Sequence, residues 1–277
     1  MLEDGSVIRQ TGVSLRQPYQ HMKKLAFLLL YSIPLLTMAQ LPFIPSGVYH
    51  WAQLPVNKSS DREGRRIMEG SSTHFDYLEI HATTQQNAAA PRAPHAQKDL
   101  EELIIVTEGT MKFTIGKESR ILGKGSIILI PPQEMQSVEN TGEGPLTYYV
   151  LMFRSSKPMD MARSAKAGGF LFLNADSLTY KPSERGGGIK YFDRPTAMCE
   201  NFEMHLTHLK SKGPSHAPHA HTDTELVLVT EGNVEVKVGD KILTGSVGDL
   251  FIINSGEMHG ISNTGDGSCR YYAIKWR

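Results

Sequence analysis

Residues 213–232 read GPSHAPHAHTDTELVLVTEG, and the polar side chains in this stretch are spaced for chemistry. His219 and His221 stand two apart, so on an extended strand both point to one face. Glu225 follows after three residues and opens the run Leu-Val-Leu-Val, which reads as a buried strand ending at a turn around Gly232. Downstream, GDLFIINSGEMHGISN (248–263) adds another imidazole, His259, between a strand and a turn. Three imidazoles and one carboxylate make a mixed nitrogen and oxygen donor set suited to a first-row divalent metal. A lone His-x-His pair is more often ordinary structure. Four donors in two spaced phrases read as a metal site.

Both phrases resemble the paired motifs of the cupin family. The first matches G(X)5HXH(X)3–4E(X)6G at every fixed position. The second matches G(X)5PXG(X)2H(X)3N, except that Asn254 stands at the proline, a turn-shaping position rather than a ligand. The resemblance implies that His219, His221, Glu225 and His259 hold one divalent transition metal (Mn, Fe, Zn, Ni or Co) inside an antiparallel β-barrel of the jelly-roll type. Four ligands on an ion that prefers six positions leave about two for water, substrate or dioxygen. The family spans dioxygenases, decarboxylases, isomerases, lyases, hydrolases and storage proteins, so fold alone names no reaction.

The elements that position these residues are repeated. FDYLEIHATT (75–84) matches NFEMHLTH (201–208), and APHAQKDLEELIIVTEG (93–109) matches APHAHTDTELVLVTEG (217–232). ENTGEG (139–144) matches SNTGDG (262–267). Short β-branched runs broken by Gly- and Asn-rich turns, without long helical periods, predict an all-β chain. The duplication makes it two tandem antiparallel β-barrels, a bicupin of jelly-roll (double-stranded β-helix) type. Expected boundaries are 40–160 for the first barrel and 161–277 for the second. The polar stretch 154–168 between them has room for one short helix.

At the four ligand positions the first copy holds His95, Gln97, Glu102 and Gln136. Glutamine is a poorer transition-metal ligand than imidazole, so this copy is expected to be degenerate, with Gln97 and Gln136 bonding each other. Glu257 and Asn254 flank His259 and are candidates to act beside the metal, and no catalytic residue is assigned. His216 and Asp223 read as exposed loop. His205 and His81, alternating with apolar residues, read as outward-facing and structural. Gly186, Gly187 and Gly188 read as a flexible turn rather than a phosphate cradle.

Residues 1–39 read as an over-extended start followed, from Met22, by a secretory signal peptide: Lys23 and Lys24, an apolar run, then Ala39. That run is shorter than the ~20 residues a bilayer span needs. Cleavage there predicts a periplasmic or secreted product with no membrane anchor. Residues 40–277 keep a slight acidic excess, which offers nothing to nucleic acid. The chain has two cysteines, Cys199 and Cys269, expected as separate buried thiols rather than a disulfide. The expected function is that of an exported metal-dependent enzyme acting on a small oxygen-rich metabolite, a sugar acid, phenolic or carboxylate, with a homodimer as the candidate assembly. Two alternatives stay open: a hydrolase resembling (S)-ureidoglycine aminohydrolase, and a non-enzymatic periplasmic metal- or sugar-binding module.

Overall fold

The computed structural model describes residues 41–277, so the expected start and signal segment, 1–39, lies outside the described residues. Two tandem barrels account for almost all of the rest. In the first, a seven-stranded sheet runs in the order Leu171–Leu173, Ile127–Ile130, Glu101–Glu108, Leu146–Ser155, Phe75–Gln85, Arg62–Gly70 and Asn57–Lys58. It closes on a three-stranded sheet of Glu118–Gly123, Thr110–Ile115 and Gln136–Asn140. The second barrel repeats this with Gly47–Tyr49, Leu250–Ile253, Thr224–Glu231, Cys269–Trp276, Phe202–Leu209, Gly186–Arg194 and Lys181–Ser183. Its smaller sheet is Gly213–Pro214, His259–Asn263, Asn233–Val238 and Lys241–Ser246.

The two large sheets pack back to back. Ile80, Leu103, Ile105 and Leu151 share one core with Met204, Leu206, Leu226 and Ile274. Phe75 stacks on Phe153 at 4.7 Å and on Trp276 at 5.2 Å between ring centroids. Each large sheet is therefore covered on both faces, by its own barrel's interior and by the other barrel. That is why the central strands read as unbroken apolar runs rather than alternating ones.

Double coverage overturns one expectation. His205 does not face outward: it pairs across from Ala273, which pairs across from Val227, and both of these line the second barrel's interior. His81 sits likewise across from Val150 in the first barrel. The apolar alternates Phe202, Met204 and Leu206 face the other barrel. Apolar character marks a buried face without telling which buried face is the barrel interior.

The helix Met161–Lys166 occupies the boundary stretch, with Asp160 accepting a hydrogen bond from the Arg163 amide at 2.8 Å as its cap. The strands cross that boundary in both directions. Gly47–Tyr49 pairs with Leu250–Ile253 of the second barrel, and Leu171–Leu173 pairs with Ile127–Ile130 of the first. The spans 40–160 and 161–277 thus each lend one edge strand to the other barrel. The three glycines at 186–188 form the start of a strand, not a turn. Cys199 and Cys269 are both free and buried.

Glu101 pins the barrels together. It is fully buried and accepts hydrogen bonds from Thr196 Oγ1 at 2.7 Å and the Met198 amide at 2.9 Å. Burial disfavours its charged form and pushes the carboxyl up to about 7. Between its ordinary value and about 7 the folded protein holds a proton that the unfolded chain releases. Its contribution to stability is complete below the ordinary value and is lost as pH rises through about 7. Glu101→Gln should flatten this part of the stability profile, measured as urea midpoints at about pH 5 and about pH 8. An unchanged profile would show that Glu101 does not set it.

The motif glycine at 232 has φ of +72°, and a Cβ there would run into the Ser268 carbonyl. Gly239 has φ of +56° with open space around it. Gly239→Ala should cost the ~1–2 kcal/mol of left-handed backbone alone, and Gly232→Ala clearly more. Equal losses in thermal unfolding would contradict the steric reading.

Candidate metal centre

His219 and His259 face each other across a two-way backbone bridge: each amide donates to the other's carbonyl, at 2.9 and 2.8 Å. His221 lies on the same approach, where its carbonyl accepts from the Gly256 amide at 2.8 Å. Glu225 enters from the large sheet, in register with Ile253 on one side and Lys275 on the other. One donor atom from each of His219, His221 and His259 lies within 4.8 Å of the others. Glu225 reaches two of the three, with Oε2 at 3.0 Å from His221 Nε2 and 3.2 Å from His259 Nε2. The four residues singled out from the sequence are thus brought together at one point inside the second barrel.

The imidazoles are oriented from behind. His221 Nδ1 donates to the Asp223 carbonyl at 3.0 Å, and His259 Nδ1 donates to the Glu257 carbonyl at 2.8 Å. Both bonds fix the ring and leave Nε2 facing Glu225. His219 Nδ1 is buried with no protein partner. Burial, together with the neighbouring rings of His259, His216 and His221, lowers the His219 pKa and keeps that ring neutral. Glu225 is only 5% exposed, and burial alone would raise its carboxyl. Hydrogen bonds from His221 and His259 outweigh burial and hold it down at about 2. His221 is raised in turn, first by its bond to Glu225.

Asn254 and Glu257 do not point into this cluster. Asn254 Nδ2 donates to the Ile44 carbonyl at 3.1 Å and to Ser46 Oγ at 3.0 Å, and Ser46 Oγ donates to the Glu257 carboxylate. Their side chains moor the His259 turn to residues 44–46, just ahead of the strand Gly47–Tyr49. Asp223 is not simple loop either: its carbonyl holds His221 and its carboxylate takes Arg277 at 2.8 Å. His216 is exposed, with its ring edge-on to His219 at 4.5 Å.

In the first barrel Glu102 is buried at the place of Glu225. Gln97 and Gln136 do not bond each other, as the sequence suggested. Both donate to Glu102, Gln97 at 3.1 Å to one oxygen and Gln136 to the other. A buried carboxylate makes the stronger demand for donors, and two amides meet it without a cation.

Sequence reasoning missed a further set. On the interior face of the second barrel Glu203, Lys275 and Glu225 stand in direct register on three adjacent strands. Lys275 Nζ is 3.0 Å from Glu203 Oε2, and His205 Nδ1 is 3.0 Å from Glu203 Oε1. A single lysine within the apolar run YYAIKW was the available signal. A separate cavity of about 860 Å3 lies between the barrels, lined by residues including Trp51, Arg65, Tyr149 and Tyr272. It touches none of the four clustered residues.

No curated protein matches the chain in sequence. Among solved structures it is similar to protein Ylba from E. coli, with 11% identity and a TM-score of 0.66 over 87% of this chain and 95% of that one. It is similar to a Lactobacillus farciminis oxalate decarboxylase formate complex, with 13% identity and a TM-score of 0.66 over 84% and 87% of the two chains. It is also similar to a Bacillus subtilis oxalate decarboxylase described with Mn(II) centres, with 14% identity and a TM-score of 0.61 over 83% and 77%. At these identities the likeness carries the fold alone. The Cupin_2 cupin-domain model matches residues 80–152 and 205–275, once in each barrel and over more than half of the sequence. With its duplicated barrels and two matched domains, the chain belongs to the cupin family as a bicupin.

Proposed function

We propose that the second barrel holds one divalent first-row metal through His219, His221, Glu225 and His259, and that the chain is a metal-dependent enzyme acting on a small oxygen-rich metabolite outside the cytosol. The observation that carries this reading is three imidazole donors within 4.8 Å of one another, two of them bonded to the buried Glu225 carboxylate. The unpartnered Nδ1 of His219 and the backbone-held rings of His221 and His259 fit the same role. Mn(II) centres in a structurally similar oxalate decarboxylase support a divalent ion on this fold. An ion bound here acts as a Lewis acid toward a carbonyl, carboxylate or water oxygen.

The chain's own residues do the rest. Glu225 supplies the negative charge that offsets a cation, and the Asp223 and Glu257 carbonyls keep two Nε2 atoms aimed inward. The barrel core does not depend on these groups. Val227, Val229, Phe251 and Ile253 are fully buried without them, at ~1.5–3 kcal/mol of gross stabilisation each. That argues for a working site rather than a structural one, which is typically closed by four Cys or His ligands in a chain too small to fold alone.

Elemental analysis of purified protein should give close to one divalent metal per chain. His219→Ala and Glu225→Ala should lose it while Gln97→Ala keeps it, and His259→Ala should stay folded yet lose metal-dependent turnover. Two metals per chain, or retention after His219→Ala, would contradict the assignment. Cooperative unfolding of the His259→Ala protein at ordinary temperature would make the ion structural.

The location outside the cytosol rests on residues 22–39. Intact mass of protein from the native host should correspond to a chain starting at Gln40, and retention of residues 25–36 would end that part of the proposal.

A further inference from the structure

We propose that Lys275 binds the acidic group of the substrate, so that the second barrel selects small carboxylates. This deepens the metal reading above and rests on it. Directly opposed side chains on neighbouring strands have Cβ atoms ~4.5–5.5 Å apart. Lys275 is opposed by Glu225 on one side and Glu203 on the other, one strand away from the histidine cluster. Its side chain is 23% exposed, so it is not sealed in the core. An ammonium has three N–H donors, and Glu203 at 3.0 Å takes one of them. Among the described residues no other side chain takes the remaining two, which leaves them for a ligand oxygen.

The first barrel serves as an internal control. Met152 takes the place of Lys275 there, opposed by Glu79 and Glu102. Glu79 is still satisfied, by His81 Nδ1 at 3.1 Å and by the Tyr77 hydroxyl at 2.6 Å. A glutamate at this position therefore does not require a lysine, and neutralising Glu203 does not by itself account for Lys275. The rim charges also agree between barrels: Arg66 pairs with Glu69 at 2.6 Å, and Lys190 pairs with Asp193 at 2.9 Å. What changes with the histidine cluster is one cation in the barrel interior. The next position inward changes too, from Val150 to the smaller Ala273, which leaves more room beside the lysine. A Lewis acid and an ammonium on one wall give a small carboxylate two points of attachment, and the first barrel offers neither.

The test uses the full chain loaded with Mn(II), titrated with malonate and with the neutral malonamide, and followed by water-proton relaxation of the bound Mn(II). Lys275→Met, which copies the first barrel, should take up Mn(II) as the wild type does and weaken malonate binding about tenfold or more. Lys275→Arg should recover part of that affinity, and malonamide should bind poorly to all three proteins. Mn(II) uptake by Lys275→Met with malonate affinity unchanged would overturn the proposal while leaving the metal reading intact. A Mn(II)-loaded wild type that ignores malonate or prefers malonamide would overturn it equally. Loss of Mn(II) from Lys275→Met and Lys275→Arg alike would place Lys275 in holding the cluster, against the proposal. A wild type that takes up no Mn(II) fails the metal reading, and this inference with it.

Discussion

The back-to-back packing of two large sheets is the constraint on which the rest of the molecule depends. A sheet buried on one face can alternate apolar and polar residues; one buried on both carries long apolar runs in its central strands and admits polar residues sparingly. Every polar group admitted to such strands must find a partner within the protein. Among those admitted, Glu101, Glu102 and Glu225 are each held by specific donors, and Glu203 by Lys275 and His205.

Glu102 and Glu225 show one demand met in two ways. At 4% and 5% exposure, both carboxylates would be costly without compensation. In the first barrel two amides supply the donors, and the arrangement is complete in itself. In the second barrel imidazoles surround the carboxylate, and their nitrogens can turn to a cation instead. Glutamine in place of histidine at two of the four positions therefore leaves a self-satisfied polar knot, although the first copy carries one extra residue ahead of its glutamate. The first barrel still has a task, since its large sheet is the surface against which the second folds.

Much of this is legible in the sequence because it depends on spacing. Residues 219, 221, 225 and 259 are placed by strand periodicity and by two turns, and the duplication can be read by matching one copy against the other. What stays hidden depends on which of two buried faces is which. Phe202, Met204 and Leu206 announce a buried face, and by contrast alone His205 reads as outward. Both faces are buried, and the polar one lines the barrel. Lys275 is hidden for the same reason. The bonds of Gln97 and Gln136 differ from expectation because a pairwise view of two amides leaves out the carboxylate between them. The three-residue strand Gly47–Tyr49 carries no local mark of the barrel it joins.

That last strand bears on how the chain can be made. Synthesis runs from the N-terminus, and domains commonly fold as they emerge. Here the first barrel's large sheet lacks an edge strand until Leu171–Leu173 has been made, after the whole of the first repeat. Gly47–Tyr49, among the earliest described residues, has no partner until Leu250–Ile253 appears near the end. Ser46, which moors the turn carrying His259, waits with it. Closure of the two barrels is thus tied to completion of the polypeptide, and a chain cut short before residue 250 would leave its own beginning as an unpaired edge.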